Sequence, residues 1–167
     1  NIPFLVLNRM PANDDFITFN NKNAMKSLVE KTLSSESEAS AVFVEMYKSH
    51  EITRERRSGF ESACESLGVK TAEVITLKSL KDINVDFLKG LVNKEQKFIF
   101  CMNDIIASVF IFHALQNGYS IPGDFSLSGF DGSSITSVLP SQLRTVQLQI
   151  TELGEKAGEW IEKKVIE

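Results

Sequence analysis

The feature that most constrains this chain is an alternation: short apolar runs, each too short for a membrane span, separated by amphipathic stretches of helical length. Such a pattern builds β-α-β units around a parallel sheet, so the expected class is α/β with helices flanking the sheet. Ile2 to Leu7 reads as a buried strand, and Pro11, Asn13, Asp14 and Asp15 as a polar turn. A helix is expected from Asn20 or Asn21 to about Leu33, with Ala24, Leu28 and Val29 on one face, and then a loop over Ser34 to Ser40. Ala41 to Met46 reads as a strand, Thr53 to Leu67 as a helix ended by Gly68, and Ala72 to Leu77 as a strand. Ser79 to Val92 is a weaker helix, because Asn84 and Gly90 are poor helix formers. Lys97 to Met102 is a strand and Asp104 to Gln116 a helix stopped by Gly118. Phe125 to Phe130 and Leu143 to Leu148 are extended, and Gln149 to Lys164 closes the chain as a helix.

The chain has 167 residues, enough for one domain with a real core, and 43% hydrophobic content excludes disorder. Lys and Arg total 18 against 22 for Asp and Glu, a net charge of -4, and the densest basic run (Arg54, Arg56, Arg57) is broken by Glu55. Phosphate neutralisation carries most nucleic-acid affinity, so DNA contact by this stretch alone is not expected. Cys64 and Cys101 lie far apart and are not paired with His50 or His113, which gives no metal-ligand spacing; no metal and no cofactor are expected. Two free thiols in apolar patterns suit a reducing cytoplasm. The chain opens at Asn1 with neither an initiator Met nor a signal peptide, which reads as a start within a longer protein.

In an open parallel sheet, ligands bind beyond the carboxyl ends of the strands. The residues at those ends are Phe19, Asn20 and Asn21, then Arg54 and Arg56, then Asn103 and Asp104, and finally Asp131. Amides, carboxylates, a guanidinium and an aromatic at one rim suit a neutral polyhydroxylated ligand: carboxylates accept from hydroxyls, Arg donates in a fork, and an aromatic covers an apolar ring face. Taken singly, Asn103 serves equally well as a helix cap and Asp131 as a turn residue. Neither GxGxxG nor GxxxxGKS/T occurs, and the run SLSGF is not a nucleophile elbow. Asp104 and Asp131 could imitate an acid/base pair, but they lack other catalytic company, and the chain is not read as an enzyme. The helix DIIASVFIFHALQ is apolar nearly all round, as a core helix would be, or one that gives a side to a subunit contact.

Several segments read together. Phe98 to Ala107 (FIFCMNDIIA), Gly118 to Pro122 (GYSIP), Asp124 to Asp131 (DFSLSGFD), Leu143 to Val146 (LRTV) and the run from Glu152 to Ala157 (ELGEKA) follow in order. With Asn8-Arg9 after the first strand and Arg56 before Gly59-Phe60, this order resembles the effector-binding domain of LacI/GalR transcriptional regulators. The resemblance implies a two-lobed periplasmic-binding-protein-like fold. Residues 1–16 and about 148–167 would belong to the first lobe and about 17–147 to the second, with an N-terminal helix-turn-helix domain lying outside this chain. It further implies that Arg56, Asn103 and Asp131 grip ligand hydroxyls, with Phe19 in the apolar wall and Asn20 and Asp104 as possible further contacts. The partners implied are a sugar or related metabolite, a second subunit forming a homodimer, and DNA through the helix-turn-helix domain alone. A secreted sugar-binding protein of a transporter is the alternative with the same fold.

The chain departs from that pattern at four places. Asn20-Asn21 stands where Asp-Asn is usual, Gly132 replaces a second Asp, and Arg144 stands where Thr is common. Tyr47-Lys48-Ser49-His50 replaces a glycine-containing loop. The closing helix gathers Ile150, Leu153, Ala157, Trp160 and Ile161 on one face, which is expected to pack on a neighbouring chain or stay mobile.

Overall fold

The structure, a computed structural model, describes residues 4–34, 36, 40–47, 50–93, 98–141 and 143–166. Its main sheet has four parallel strands: β3 (Ser40–Met46), β4 (Thr71–Leu77), β5 (Phe98–Cys101) and β6 (Ser126–Ser128), in the order β4-β3-β5-β6. A second, two-stranded parallel sheet joins β1 (Val6–Leu7) to β2 (Phe16–Ile17). The helices are α1 (Asn21–Leu33), α2 (Glu51–Leu67), α3 (Val85–Asn93), α4 (Asp104–Gln116) and α5 (Ile150–Ile161).

Strand β3 shows why helices cover both faces. Its centre is fully buried, and successive side chains point to opposite sides. Ala41 and Phe43 join Met25, Leu28 and Val29 of α1 and Phe60, Ala63 and Cys64 of α2 in one cluster. Val42 and Val44 join Leu88 and Leu91 of α3 and Ile106, Phe110 and Ile111 of α4 in the other. Right-handed crossovers enforce the same division. The chain leaves β3 through α2 to β4 at the edge, then returns past β3 through α3 to β5. Helices on paths that run in opposite directions must lie on opposite faces. The strand order therefore reverses between β3 and β5, and the loops at their carboxyl ends diverge there.

The helix limits follow from local chemistry. Asn20 Oδ1 accepts the amide of Asn23 at the head of α1, and Asn103 Oδ1 accepts the amide of Ile106 at the head of α4. Gly68, at φ 65°, closes α2 in the left-handed conformation. Thiols Cys64 and Cys101 are buried, and burial raises both, Cys64 to about 11, so both are held protonated.

Four expectations change. The first strand is only Val6–Leu7, with Ile2 and Pro3 outside the described residues, and it pairs with Phe16–Ile17, which had read as a lead-in to α1. The weak helix Ser79 to Val92 divides into a 3-10 turn (Leu80–Asp82) and α3. Between them Ile83 is extended, and Asn84 Oδ1 accepts the amides of Asp86 and Phe87. Residues 143–148 run beside β6 through isolated bridges rather than as a full strand: Gly129 N donates to Arg144 O at 2.8 Å and Asp131 N to Val146 O at 3.0 Å. Finally, Leu153 and Ala157 of α5 are buried within the chain, where α5 packs on β2, and the Trp160 indole donates to Asp15 Oδ2 at 3.0 Å. Of that face only Ile150 and Ile161 remain exposed.

Helices α1 and α2 touch closely at Gly59, where an added methyl would collide with the main-chain carbonyl of Lys22. Alanine is otherwise the better helix former by about 1 kcal/mol. The collision is with backbone, so Gly59→Ala should instead lower stability by about 1–3 kcal/mol in chemical denaturation. Unchanged or increased stability would show that the two helices separate at no cost.

Candidate functional site

The carboxyl ends of β3, β5 and β6 gather one charged centre, the guanidinium of Arg56, which α2 carries inward to 5% exposure. Arg56 Nε donates to Asn21 Oδ1 in the first turn of α1 at 2.9 Å. Its Nη1 donates to the carbonyl of Met102, just beyond β5, at 2.7 Å. Its Nη2 meets Asp131 Oδ1, beyond β6, at 2.8 Å, and its Cζ lies 3.9 Å above the ring centre of Phe130. Three separate segments are thus tied to one side chain through the planar fork that only arginine provides. Asn21 is itself fully buried, and its amide nitrogen donates to Phe19 O at 3.0 Å, which extends the network to Phe19.

Asp131 occupies a positive φ of 108°, with Gly132 following at 62°. This tight turn lifts the carboxylate to the rim, where its side chain is 35% exposed. Burial raises the Asp131 carboxyl above its ordinary range, against the opposing pull of Arg56. Burial likewise lowers Arg56, opposed by Asp131. Desolvation outweighs attraction on both partners, as expected for an ion pair withdrawn from water.

The six residues singled out in the sequence are distributed as follows. Arg56 and Asp131 are in direct contact. Asn103 follows Met102 and is half-buried; it caps α4 with its oxygen, which leaves its amide nitrogen for donation. Phe19 is half-buried against the α1–α2 cluster. Asn20 is exposed and caps α1. Asp104 is turned inward: at 1% exposure, its Oδ2 accepts Ser133 N at 2.7 Å and its Oδ1 accepts Thr145 Oγ1 at 2.6 Å. It braces the 131–133 turn against residue 145 instead of facing a ligand. Gly129 is required beside it, because a Cβ there would collide with Asp104 Oδ1.

Sequence reasoning missed Asn21 and Phe130 as Arg56 partners, since their signal is spatial. It named Asn8 only as part of a motif and not as a site residue; its φ of 53° and buried, unpaired Oδ1 mark a constrained polar group. A recess of about 330 Å³ lined by Thr18, Phe19, Asn20, Leu153 and Lys156 adjoins this region. A larger one, about 590 Å³, lies between α1 and residues 144–146 and is not lined by Arg56, Asn103 or Asp131.

Residues 38–165 match the family model described as a periplasmic binding protein-like domain. The DegA transcriptional regulator of Bacillus subtilis is 31% identical over 104 residues, 60% of this chain and 31% of that protein. The regulator NtdR of the NTD biosynthesis operon in B. subtilis is 36% identical over 59 residues, 35% of this chain and 18% of that protein. The chain thus spans less than a third of the length of either curated relative. Among solved structures, a periplasmic binding protein/LacI transcriptional regulator from Alkaliphilus metalliredigens, complexed with D-xylulofuranose, superposes with a TM-score of 0.84 at 23% identity. That match covers 98% of this chain and 62% of the other. A LacI family regulator from Enterococcus faecium with bound ribose gives 0.83 at 20% identity, over 99% of this chain and 63% of the other. The fold is therefore shared, and the LacI/GalR resemblance of the motif order is borne out.

Because its folded pKa is raised, Asp131 favours the folded state most when protonated. That contribution is present below the unfolded pKa and is lost as pH rises through the folded one. Carboxyl ¹³C titration should place Asp131 above an exposed aspartate; a value below it would mean that Arg56 outweighs burial.

Proposed function

The chain belongs to the periplasmic binding protein-like domain family, and we propose that it is the sugar- or metabolite-sensing part of a cytoplasmic LacI/GalR-type transcriptional regulator. The observation that carries this reading is the Arg56–Asp131 pair at the carboxyl-end rim of the sheet, with Arg56 also bonded to Asn21 and to the carbonyl of Met102. Asp131 spends Oδ1 on Arg56, which leaves Oδ2 to accept from a ligand hydroxyl. Asn103 supplies an amide donor, and Phe19 an apolar wall. Such a set selects by hydrogen-bond geometry and carries no activated nucleophile, which agrees with relatives named as regulators.

In this reading residues 1–16 and about 148–167 belong to a first lobe and about 17–147 to a second. In support, the β1–β2 pair is a sheet of its own, and α5 lies on β2 with Trp160 bonded to Asp15. A ligand bridging both lobes would favour one relative orientation, and that preference is transmitted to a helix-turn-helix domain elsewhere in the regulator, which contacts the operator. The acidic chain described here takes no part in DNA contact.

The regulator acts as a homodimer through α4. Its inner side is core, yet Ile105 and Phe112 are each more than half exposed, and Ile135 and Val138 of the adjoining 3-10 turn (Ser134–Val138) are exposed beside them. Apolar side chains grouped in this way are expensive in water and are relieved by a second copy. Phe112→Asp should convert a dimer to a monomer in light scattering with the helical spectrum unchanged; a monomer before substitution would sink this assignment.

For the site, Asp131→Asn keeps the shape of the side chain but removes a charged acceptor. The loss of one charge-assisted hydrogen bond corresponds to about ten- to a hundredfold in affinity. Calorimetric titration with D-ribose or D-xylulose should show that loss at an unchanged circular-dichroism spectrum. Undiminished binding would remove Asp131 from the site.

A further inference from the structure

We infer that the recess between α1 and residues 144–146 is a second ligand site, which takes a phosphate monoester of a small organic molecule. Its volume is about 590 Å³, and Arg56, Asn103 and Asp131 take no part in its lining. On one wall Ala24, Ser27, Leu28 and Lys31 recur at the spacing that places them on one face of α1. The opposite wall is the extended run Arg144, Thr145 and Val146.

Charge identifies the occupant. Arg54, Arg56 and Arg57 each meet a carboxylate, but neither Lys31 nor Arg144 does so among the described residues. Arg144 Nη1 donates to the neutral Thr32 Oγ1 at 2.9 Å, and Thr32 in turn donates to Leu28 O at 2.7 Å. That bond ties the arginine to α1 and leaves the rest of its fork for a ligand. Two cations thus border a recess that no carboxylate lines among the described residues. A guanidinium fork and an ammonium are the groups that bind phosphate oxygens, and Ser27 adds a hydroxyl. Ala24, Leu28 and Val146 offer apolar surface to an organic body, which inorganic phosphate alone would leave uncovered. The same two cations border an adjoining recess of about 460 Å³, but Glu36 and Asp124 line that one and repel an anion. The carbonyl end of α1 attracts cations by itself, yet that attraction calls for no cavity between them and no apolar floor.

The wall that carries Arg144 also holds the turn of Asp131. Gly129 N donates to Arg144 O at 2.8 Å, Asp131 N to Val146 O at 3.0 Å, and Gly132 N to Thr145 Oγ1 at 3.2 Å. An anion seated on Arg144 therefore acts on the backbone that positions Asp131. That this coupling reaches a sugar rests on the proposed role of Asp131; occupation of the recess does not.

The test follows the backbone amide NMR spectrum of the intact chain during titration with phenyl phosphate, inorganic phosphate and phenol. Phenyl phosphate at millimolar concentration should shift the amides of Ser27, Lys31 and Arg144, and with them those of Gly129, Asp131 and Gly132. Inorganic phosphate should bind more weakly, and phenol should shift none of them. Arg144→Thr and Lys31→Gln should each weaken phenyl phosphate about three- to tenfold. Arg144→Lys keeps the charge without the fork and should fall between Arg144→Thr and the unsubstituted chain. Undiminished binding in Arg144→Thr and Lys31→Gln, or equal shifts with phenol, would overturn the site. Inorganic phosphate binding as well as its ester would overturn the organic class of ligand. Local shifts without those of Gly129, Asp131 and Gly132 would overturn the coupling. Failure of D-ribose to bind the same chain, with phenyl phosphate still bound, would overturn the reading of Asp131 and leave the recess standing.

Discussion

A single buried guanidinium organises the carboxyl end of this sheet. Arg56 would be ruinous to bury alone, since a charge withdrawn from water costs several kcal/mol unless its hydrogen bonds are replaced. Here Asn21, the carbonyl of Met102 and Asp131 replace them, and Phe130 lies beneath the fork. The partners come from the start of α1, the end of β5 and the turn after β6. None of these segments can shift without uncovering the charge. The three segments are cross-braced for that reason.

The same logic explains another buried polar side chain. Asp104 lies behind the turn that carries Asp131 and accepts from Ser133 and Thr145. It thus links that turn to the extended segment 143–148, which itself bonds to Gly129 and Asp131. Asp131, held in a conformation uncommon for a residue with a side chain, is fixed from behind by Asp104 and from the side by Arg56. Two neighbouring acids therefore do different work: one is spent on architecture, and the other keeps a free oxygen at the surface. In the proposed reading, recognition of a ligand depends on this division.

The sequence specified the class of fold through period and punctuation alone. Runs such as Ala41 to Met46 are apolar on both sides and cannot be solvent-facing strands. Asn103 and Gly118 bracket α4 so clearly that its limits, Asp104 to Gln116, could be read directly. Arg56, Asn103 and Asp131 were legible as rim residues because the strand ends that carry them were. The pairing of β1 with β2 was not legible, since two-residue strands have no period, and their partnership depends on contacts distant in sequence. Nor was the division of Ser79 to Val92, where Asn84 starts a new helix by capping it, a choice that competes closely with continuing the old one.

Local pattern by itself thus determined an α/β fold with a polar rim at the strand ends, because periodicity, capping and turn chemistry act over a few residues. Only the tertiary structure decided which polar residues the rim keeps. Asp104 and Asp131 are both acids that follow strands, and nothing in their immediate neighbours separates them. Their environments separate them: the first is enclosed by Ser133 and Thr145, the second opens to solvent beside Arg56. Desolvation and hydrogen-bond partnership are properties of the packed chain, so the assignment of each carboxylate had to wait for the packing.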